Sequence, residues 1–137
     1  MDVLPSGLVG LPVTQASIGG LELDVVVAAT PGARSRGLMD VADLSPIDGM
    51  AFVFDAPTET GFYMKDVRIP LDIAFIGPDE LVVDVLEMPL CPAEPCPFYH
   101  ASAPFEWALE TPAGGLAGVR PGERFSLGAW PTPCPTA

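Results

Sequence analysis

Proline and glycine punctuate this chain so densely that no long helix can run through it. There are 17 prolines and 14 glycines among 137 residues, and either one in a helix interior costs about 1–3 kcal/mol. Yet 49% of the residues are hydrophobic, so the chain has a core to bury and does not resemble a disordered polymer. A core assembled from short apolar segments between frequent turns is a β core. The expected fold is therefore mainly β, a compact barrel or sandwich with one short helix at about residues 31–38. The length suits one domain, placed at 14–128, with an N-terminal extension over 1–13 and a Pro-rich tail over 129–137.

Charge narrows the partners. Six basic residues against 18 acidic ones give a net charge of −12, which repels the phosphate backbone that dominates nucleic-acid affinity. No nucleic-acid partner is expected. The same charge opposes an anionic membrane surface, and no 18-residue apolar run exists to span one. The opening segment, MDVLPSGLVGLPVTQ, has no basic residue ahead of its apolar part and contains two prolines, unlike a secretory signal peptide.

The stretch from Gly61 to Gly77, GFYMKDVRIPLDIAFIG, departs most from simple alternation. Two apolar segments enclose four charges, Lys65, Asp66, Arg68 and Asp72, within eight residues. Such charges must alternate outward, line a wet cleft or neutralise one another, because an unpaired buried charge is costly. Pro70 lacks a backbone donor and biases Ile69 toward extended geometry, so Lys65 to Pro70 reads as a bend or bulge between two strands. Bulges re-aim side chains and recur beside functional sites. Lys65, Asp66 and Asp72 are therefore the leading site candidates, and a structural ion-pair network pinning the bend is the competing reading. With one of Arg34 or Arg36 they are expected to form a single polar cluster.

Along the chain, Thr14 to Ile18 and Leu21 to Ala28 read as a hairpin around Gly19-Gly20, with Leu21 to Val25 alternating as a half-buried strand. Thr30-Pro31 offers a capping hydroxyl and a proline at the first helical position, and Gly37 offers a stop. Gly49 to Phe54, Leu81 to Met88 and Phe105 to Glu110 read as strands, Asp55 to Thr60 as a turn, and Glu123 to Leu127 as the closing strand.

Three of these segments resemble signatures of one family, in that family's order. TPGARSRGLM is similar to T-P-E-E-R-x-R-G-L-M, GMAFVF to G-M-L-F-V-F, and FYMKDVRIPLDIAF to F-W-M-K-N-x-x-I-P-L-D-x-x-F, the motifs of domain-of-unknown-function family 192. The resemblance covers about residues 21 to 127. It implies a jelly-roll-like β fold, maps the family's arginines onto Arg34 and Arg36, and implies no particular reaction. Tyr63 stands where the family has tryptophan, Asp66 where it has asparagine, and Gly32 and Ala33 replace an acidic pair. Members often carry a removable signal or lipoprotein anchor, so an exported or cell-envelope location is expected, with a cytoplasmic one as the alternative.

The three cysteines are Cys91, Cys96 and Cys134. Cys91 and Cys96 close a small proline-stiffened loop and are expected to pair in an oxidising compartment, leaving Cys134 over in the tail. With His100 they also form a C-x4-C-x3-H run, wider than the usual zinc spacing, and the pairing explains the cysteines without metal. No metal and no cofactor are expected. His100, the only histidine, reads as a loop residue. Neither a G-x-S-x-G elbow nor a G-x4-G-K-[ST] phosphate loop is present, which removes the motif support for acyl transfer and nucleotide hydrolysis.

What remains is a constellation of Asp66, Asp72 and Glu110 with Lys65, Arg34 and Arg36, and aromatic residues including Tyr63. A β cleft with a few charges and aromatic walls suits a binding module for a small polar ligand or a cell-envelope carbohydrate. A hydrolase or lyase using Asp66 or Asp72 as acid or base, with Lys65 as electrostatic stabiliser, is the second reading. A structural or protein-interaction domain is the third.

Overall fold

A computed structural model describes residues 4–130. In chain order the strands are β1 (Val13–Ile18), β2 (Leu21–Ala28), β3 (Gly49–Thr58), β4 (Phe62–Tyr63), β5 (Leu71–Ile76), β6 (Val82–Met88), β7 (Phe98–Tyr99), β8 (Phe105–Pro112) and β9 (Phe125–Leu127), with a 3-10 turn at Ser6–Leu8 and, among the described residues, one α-helix, α1 (Pro31–Arg36). Seven strands form one sheet in the order β6-β5-β8-β3-β2-β1-β9, and β4 pairs with β7 in a separate ribbon. The sheet is a curled half-barrel whose two edges meet at one end. There Leu81 bridges Arg124, the Val82 N–H donates to the Glu123 carbonyl at 2.9 Å, and the Phe125 N–H donates to the Glu80 carbonyl at 2.9 Å. Joining the edges removes unpaired backbone groups that would otherwise invite a second chain.

Successive strand residues point to opposite faces, and the sheet accordingly carries two cores. Met50, Phe52, Ile73, Phe75 and Ala108 belong to the first. Ala51, Ala74, Ile76, Leu109 and Phe125 belong to the second. The first core is covered by Leu8, Leu38 and Met64. Leu8 is fully buried although it lies in the segment set apart as an extension, and the Pro12 carbonyl accepts from the Val27 N–H at 2.8 Å.

The opening hairpin forms with the expected turn, pairing Ile18 with Leu21. Its continuation differs from a run of hairpins, because β2 and β3 are parallel, with Val25 opposite Gly49 and Ala28 opposite Phe52. Parallel neighbours need a crossover connection, and residues 29–48 provide it with α1 at its start. The Thr30 hydroxyl accepts from the Ala33 N–H at 3.1 Å. Gly37, with φ 51, ends the helix and sends its N–H to the Ala33 carbonyl, two residues before the expected boundary. Leu38 has by then turned into the core at 2% exposure. The expected turn at Asp55 is instead the second half of β3, which carries a register shift between Val53 and Thr58 against β8; an irregularity of this kind lets a strand bend without stopping. The bend between Lys65 and Pro70 forms as expected, between β4 and β5, with Asp66 at φ 59.

Strand parity also decides what Asp72 does. Its neighbours Leu71 and Ile73 enter the first core, so its own side chain points to the second, where it is 6% exposed. One carboxylate oxygen accepts from the Gly114 N–H at 2.9 Å and the Leu116 N–H at 3.3 Å. It thereby organises the loop that lays Leu116 and Val119 over the second core. Asp72→Ala is expected to cost about 1–3 kcal/mol by leaving these N–H groups unpaired, and Asp72→Asn, which keeps an acceptor oxygen, less. Urea titration measures both, and an unchanged midpoint in the alanine variant would show that the carboxylate does not hold the loop.

Candidate functional site

α1 lies across the first face of the sheet, and its C-terminal side is tied to the segment after β4. Met39 bridges Val67, and the Asp40 N–H donates to the Asp66 carbonyl at 2.8 Å. Between these two segments and the sheet is a cavity of about 390 Å³. Arg34 and Arg36 line it from α1, Phe52 and Phe54 from β3, Thr60 and Gly61 from the connection after it, Phe62 and Tyr63 from β4, and Glu110 from β8. Its volume falls within the range of small-molecule sites, roughly 300–1,000 Å³.

Arg34 is held firmly. One terminal nitrogen, Nη1, donates to the Ala29 and Val53 carbonyls, each at 2.9 Å, and the guanidinium carbon stands 5.0 Å from the centre of the Phe54 ring. Two backbone acceptors and one aromatic face account for one nitrogen and one side of a group with five donors. Arg36 is exposed, and its guanidinium lies against Gly7, where even a methyl group would collide with Nη2.

Glu110 occupies the middle of the sheet. It pairs with Met50 on one side and Ile73 on the other, both fully buried in the first core. The residue is 5% exposed, and its carboxyl has no hydrogen-bond or ion-pair partner among the described residues. Burial raises its pKa from 4.5 to about 8, because an apolar surrounding disfavours the charged form. At neutral pH it is a carboxylic acid, able to donate as well as accept.

Tyr63 forms the rim. Its ring stacks on Phe98 across the β4–β7 ribbon, centroids 5.0 Å apart and planes within 6°. Phe62, the next residue inward, packs edge-on against Phe52 at 5.0 Å and Phe75 at 5.7 Å. The loop leading to Phe98 is closed by the Cys91–Cys96 disulfide, with Cα atoms 5.7 Å apart. From that loop Glu94 reaches the Lys65 ammonium at 3.3 Å, and this hydrogen bond and attraction raise the lysine's pKa. Cys134 lies outside the described residues. His100 is exposed, with its ring against Gly61.

Of the residues singled out from sequence, the cavity brings together Arg34, Arg36, Tyr63 and Glu110, and leaves out Lys65, Asp66 and Asp72. The single cluster expected of Lys65, Asp66, Asp72 and an arginine does not form. Lys65 is occupied by Glu94, Asp66 is exposed and contributes its carbonyl, and parity sends Asp72 to the opposite face. Phe52, a core residue, and Phe54, half-buried against that core, also wall the cavity. Nothing in their spacing distinguishes the two roles, since the cavity exists only once α1 has crossed over them.

A family model matches residues 14–127, most of the chain. The chain belongs to the DUF192 family, described as Uncharacterized ACR. The crystal structure of a Sinorhizobium meliloti protein, described provisionally as a transcription regulator, is similar at TM-score 0.73 with 26% identity, over 93% of this chain and 98% of that one. A protein of unknown function from Novosphingobium aromaticivorans shares the fold at TM-score 0.71 with 23% identity, over 92% and 99% of the two chains. No curated protein sequence matches this DUF192 chain.

The unpaired acid makes a prediction that needs no ligand. A carboxyl whose folded pKa lies above its unfolded value contributes most stability below the unfolded pKa and loses it as pH rises through the folded one. The wild type should therefore lose stability, relative to Glu110→Gln, between about pH 4.5 and 8, by an amount on the order of 4 kcal/mol. Denaturant titrations of both proteins across that window test this, and parallel pH profiles would show that the carboxyl is not held neutral.

Proposed function

We propose that this DUF192 domain is a small-ligand binding module whose ligand lodges between α1 and the sheet, over Glu110. The observation that carries the reading is a nearly buried carboxyl with no hydrogen-bond or ion-pair partner among the described residues, opening into a cavity walled by aromatic rings and two arginines. No fully buried side-chain oxygen among the described residues lacks a partner, so the carboxyl is open to the cavity, and perturbed groups inside cavities mark functional sites. Binding a ligand would supply the missing partner.

The geometry favours this over the other two readings. An acid–base reaction built on Asp66 or Asp72 would have to proceed outside the cavity, with Asp72 already engaged by two backbone N–H groups. A purely structural domain would account for Asp72 and for the Lys65–Glu94 pair, but not for Glu110. The description of the rhizobial neighbour as a regulator has no support here from charge, because a net −12 opposes contact with a polyanion.

A panel of mono- and disaccharides, amino acids, nucleosides and small organic acids, screened by thermal shift on the full chain, tests the proposal. A ligand present at a hundredfold excess over its Kd stabilises the native state by about 2.7 kcal/mol, readily seen as a raised midpoint. Thr60 is exposed and lines the cavity, so Thr60→Trp should fold normally and abolish the shift. A panel without effect, or a shift that survives in Thr60→Trp, would remove the cavity from consideration, and a shift produced by saccharides would establish the carbohydrate version.

A further inference from the structure

The lining of the cavity differs in charge balance from the chain as a whole. It takes two of the chain's six basic residues and one of its 18 acidic ones. The one acid sits in the middle of the sheet between Met50 and Ile73 with no counter-ion among the described residues, although two arginines line the same cavity. A carboxylate placed there to anchor α1 would have been paired with Arg34. Instead Arg34 spends Nη1 on two backbone carbonyls and one face on Phe54, which fixes the guanidinium and leaves its remaining donors unassigned. The opposite wall is apolar and aromatic, formed by Phe52, Phe62 and the Tyr63 rim.

We infer that the cavity selects a small organic anion, a carboxylate on a flat apolar body, with its head toward the α1 arginines and the Glu110 carboxyl and its body against Phe52 and Phe62. The inference rests on the binding reading above and names the ligand class. Each part of the site has one task in it. Guanidinium groups present forked donors that match a carboxylate. A protonated Glu110 supplies a further donor without repelling the anion, whereas an ionised one would repel it. The aromatic wall accepts a ring edge-on or offset-stacked. The acidic exterior limits non-specific capture of anions elsewhere on the chain, so selection falls to the cavity.

The charged and titratable groups that face Glu110 across the cavity are Arg34 and Arg36 from α1 and Tyr63 from β4, while β3 and β5 present Met50 and Ile73 beside it. Burial keeps Glu110 protonated up to about pH 8. Anion binding should therefore be strong below that pH and weaken above it, and Glu110→Gln should hold its affinity across the same range.

Calorimetric titration of the full chain with benzoate, and with benzamide and benzylamine as neutral and cationic counterparts of the same shape, tests the inference at pH 6.5 and pH 9.5. Benzoate is expected to bind at pH 6.5 and the other two to bind at least about tenfold more weakly, the equivalent of one charge-assisted hydrogen bond. Arg36→Gln, at an exposed position, should weaken benzoate about tenfold. Raising the pH to 9.5 should weaken it about tenfold or more in the wild type and leave Glu110→Gln unchanged. Equal binding of benzamide and benzoate, or a pH response identical in the two proteins, overturns the anion selectivity while leaving a small-ligand site in place. No binding of any of the three also overturns it. The broader saccharide and metabolite screen with its Thr60→Trp control then decides separately whether the binding reading survives.

Discussion

Two neighbouring strands that run parallel cannot be joined by a tight turn, and that constraint on β2 and β3 shapes most of what is distinctive in this domain. The chain leaving β2 at Ala28 has to travel back along the sheet before entering β3 at Gly49. The first residues available for the journey are Thr30-Pro31, which start a helix, and Gly37, which ends it. The crossover therefore lays a short, doubly basic helix over the first face instead of a bare loop. Arg34 then reaches the carbonyls of Ala29 and Val53, tying the helix to the end of β2 and to the middle of β3. The cavity is the space left beneath this crossover, bounded on its far side by the Met39–Val67 bridge.

Glu110 is the cost of that arrangement. Its position opposite Met50 and Ile73 leaves it no choice of face, since a one-residue slip of β8 would invert every side chain on the strand and exchange Ala108 of the first core for Leu109 of the second. A leucine or methionine there would fill the centre of the first core and stabilise the fold. An acid there instead, neutral at physiological pH and without a partner among the described residues, is a pattern expected where function opposes stability. The same logic separates Glu110 from Asp72. Both are acidic and nearly buried, but Asp72 has two backbone donors and a loop to hold, which makes it an ordinary structural carboxylate.

Local chemistry was legible in the sequence wherever a single short-range interaction decides the outcome. The Gly19-Gly20 hairpin, the Thr30 cap, the Gly37 stop, the bend around Pro70 and the small Cys91–Cys96 loop each depend on residues a few positions apart. What could not be read is what depends on register between distant segments. Asp66 and Asp72 looked alike because they are close in sequence. Their fates differ because one lies in a turn and the other on the wrong face of β5 for the cavity. Leu71, Ile73 and Phe75 already announced the parity that excludes Asp72. Only the pairing of β5 with β8 shows that Glu110, thirty-eight positions later, shares the face of Ile73. The four candidates that do meet, Arg34, Arg36, Tyr63 and Glu110, come from three elements that no local pattern connects.

How rigidly the cavity is held bears on what it can bind. Its α1 wall is fixed by the bonds of Arg34 and by Leu38 in the core, and its floor is the sheet itself. The rim would be the weak point, because β4 is two residues long and pairs only with an equally short β7. It is reinforced from outside: Tyr63 stacks on Phe98, Phe62 anchors in the aromatic core, Glu94 holds Lys65, and the disulfide shortens the loop that delivers Glu94 and Phe98. Cross-linking a loop restricts its unfolded freedom, and a wall ordered in advance spares the ligand the entropy of ordering it. The Lys65–Glu94 pair, exposed on both sides, adds little energy of its own. Its consequence is geometric, since it keeps the residue after Met64 turned outward while Met64 itself is buried. The charged bend that dominates the sequence thus braces the rim of the cavity, and the cavity lies behind it.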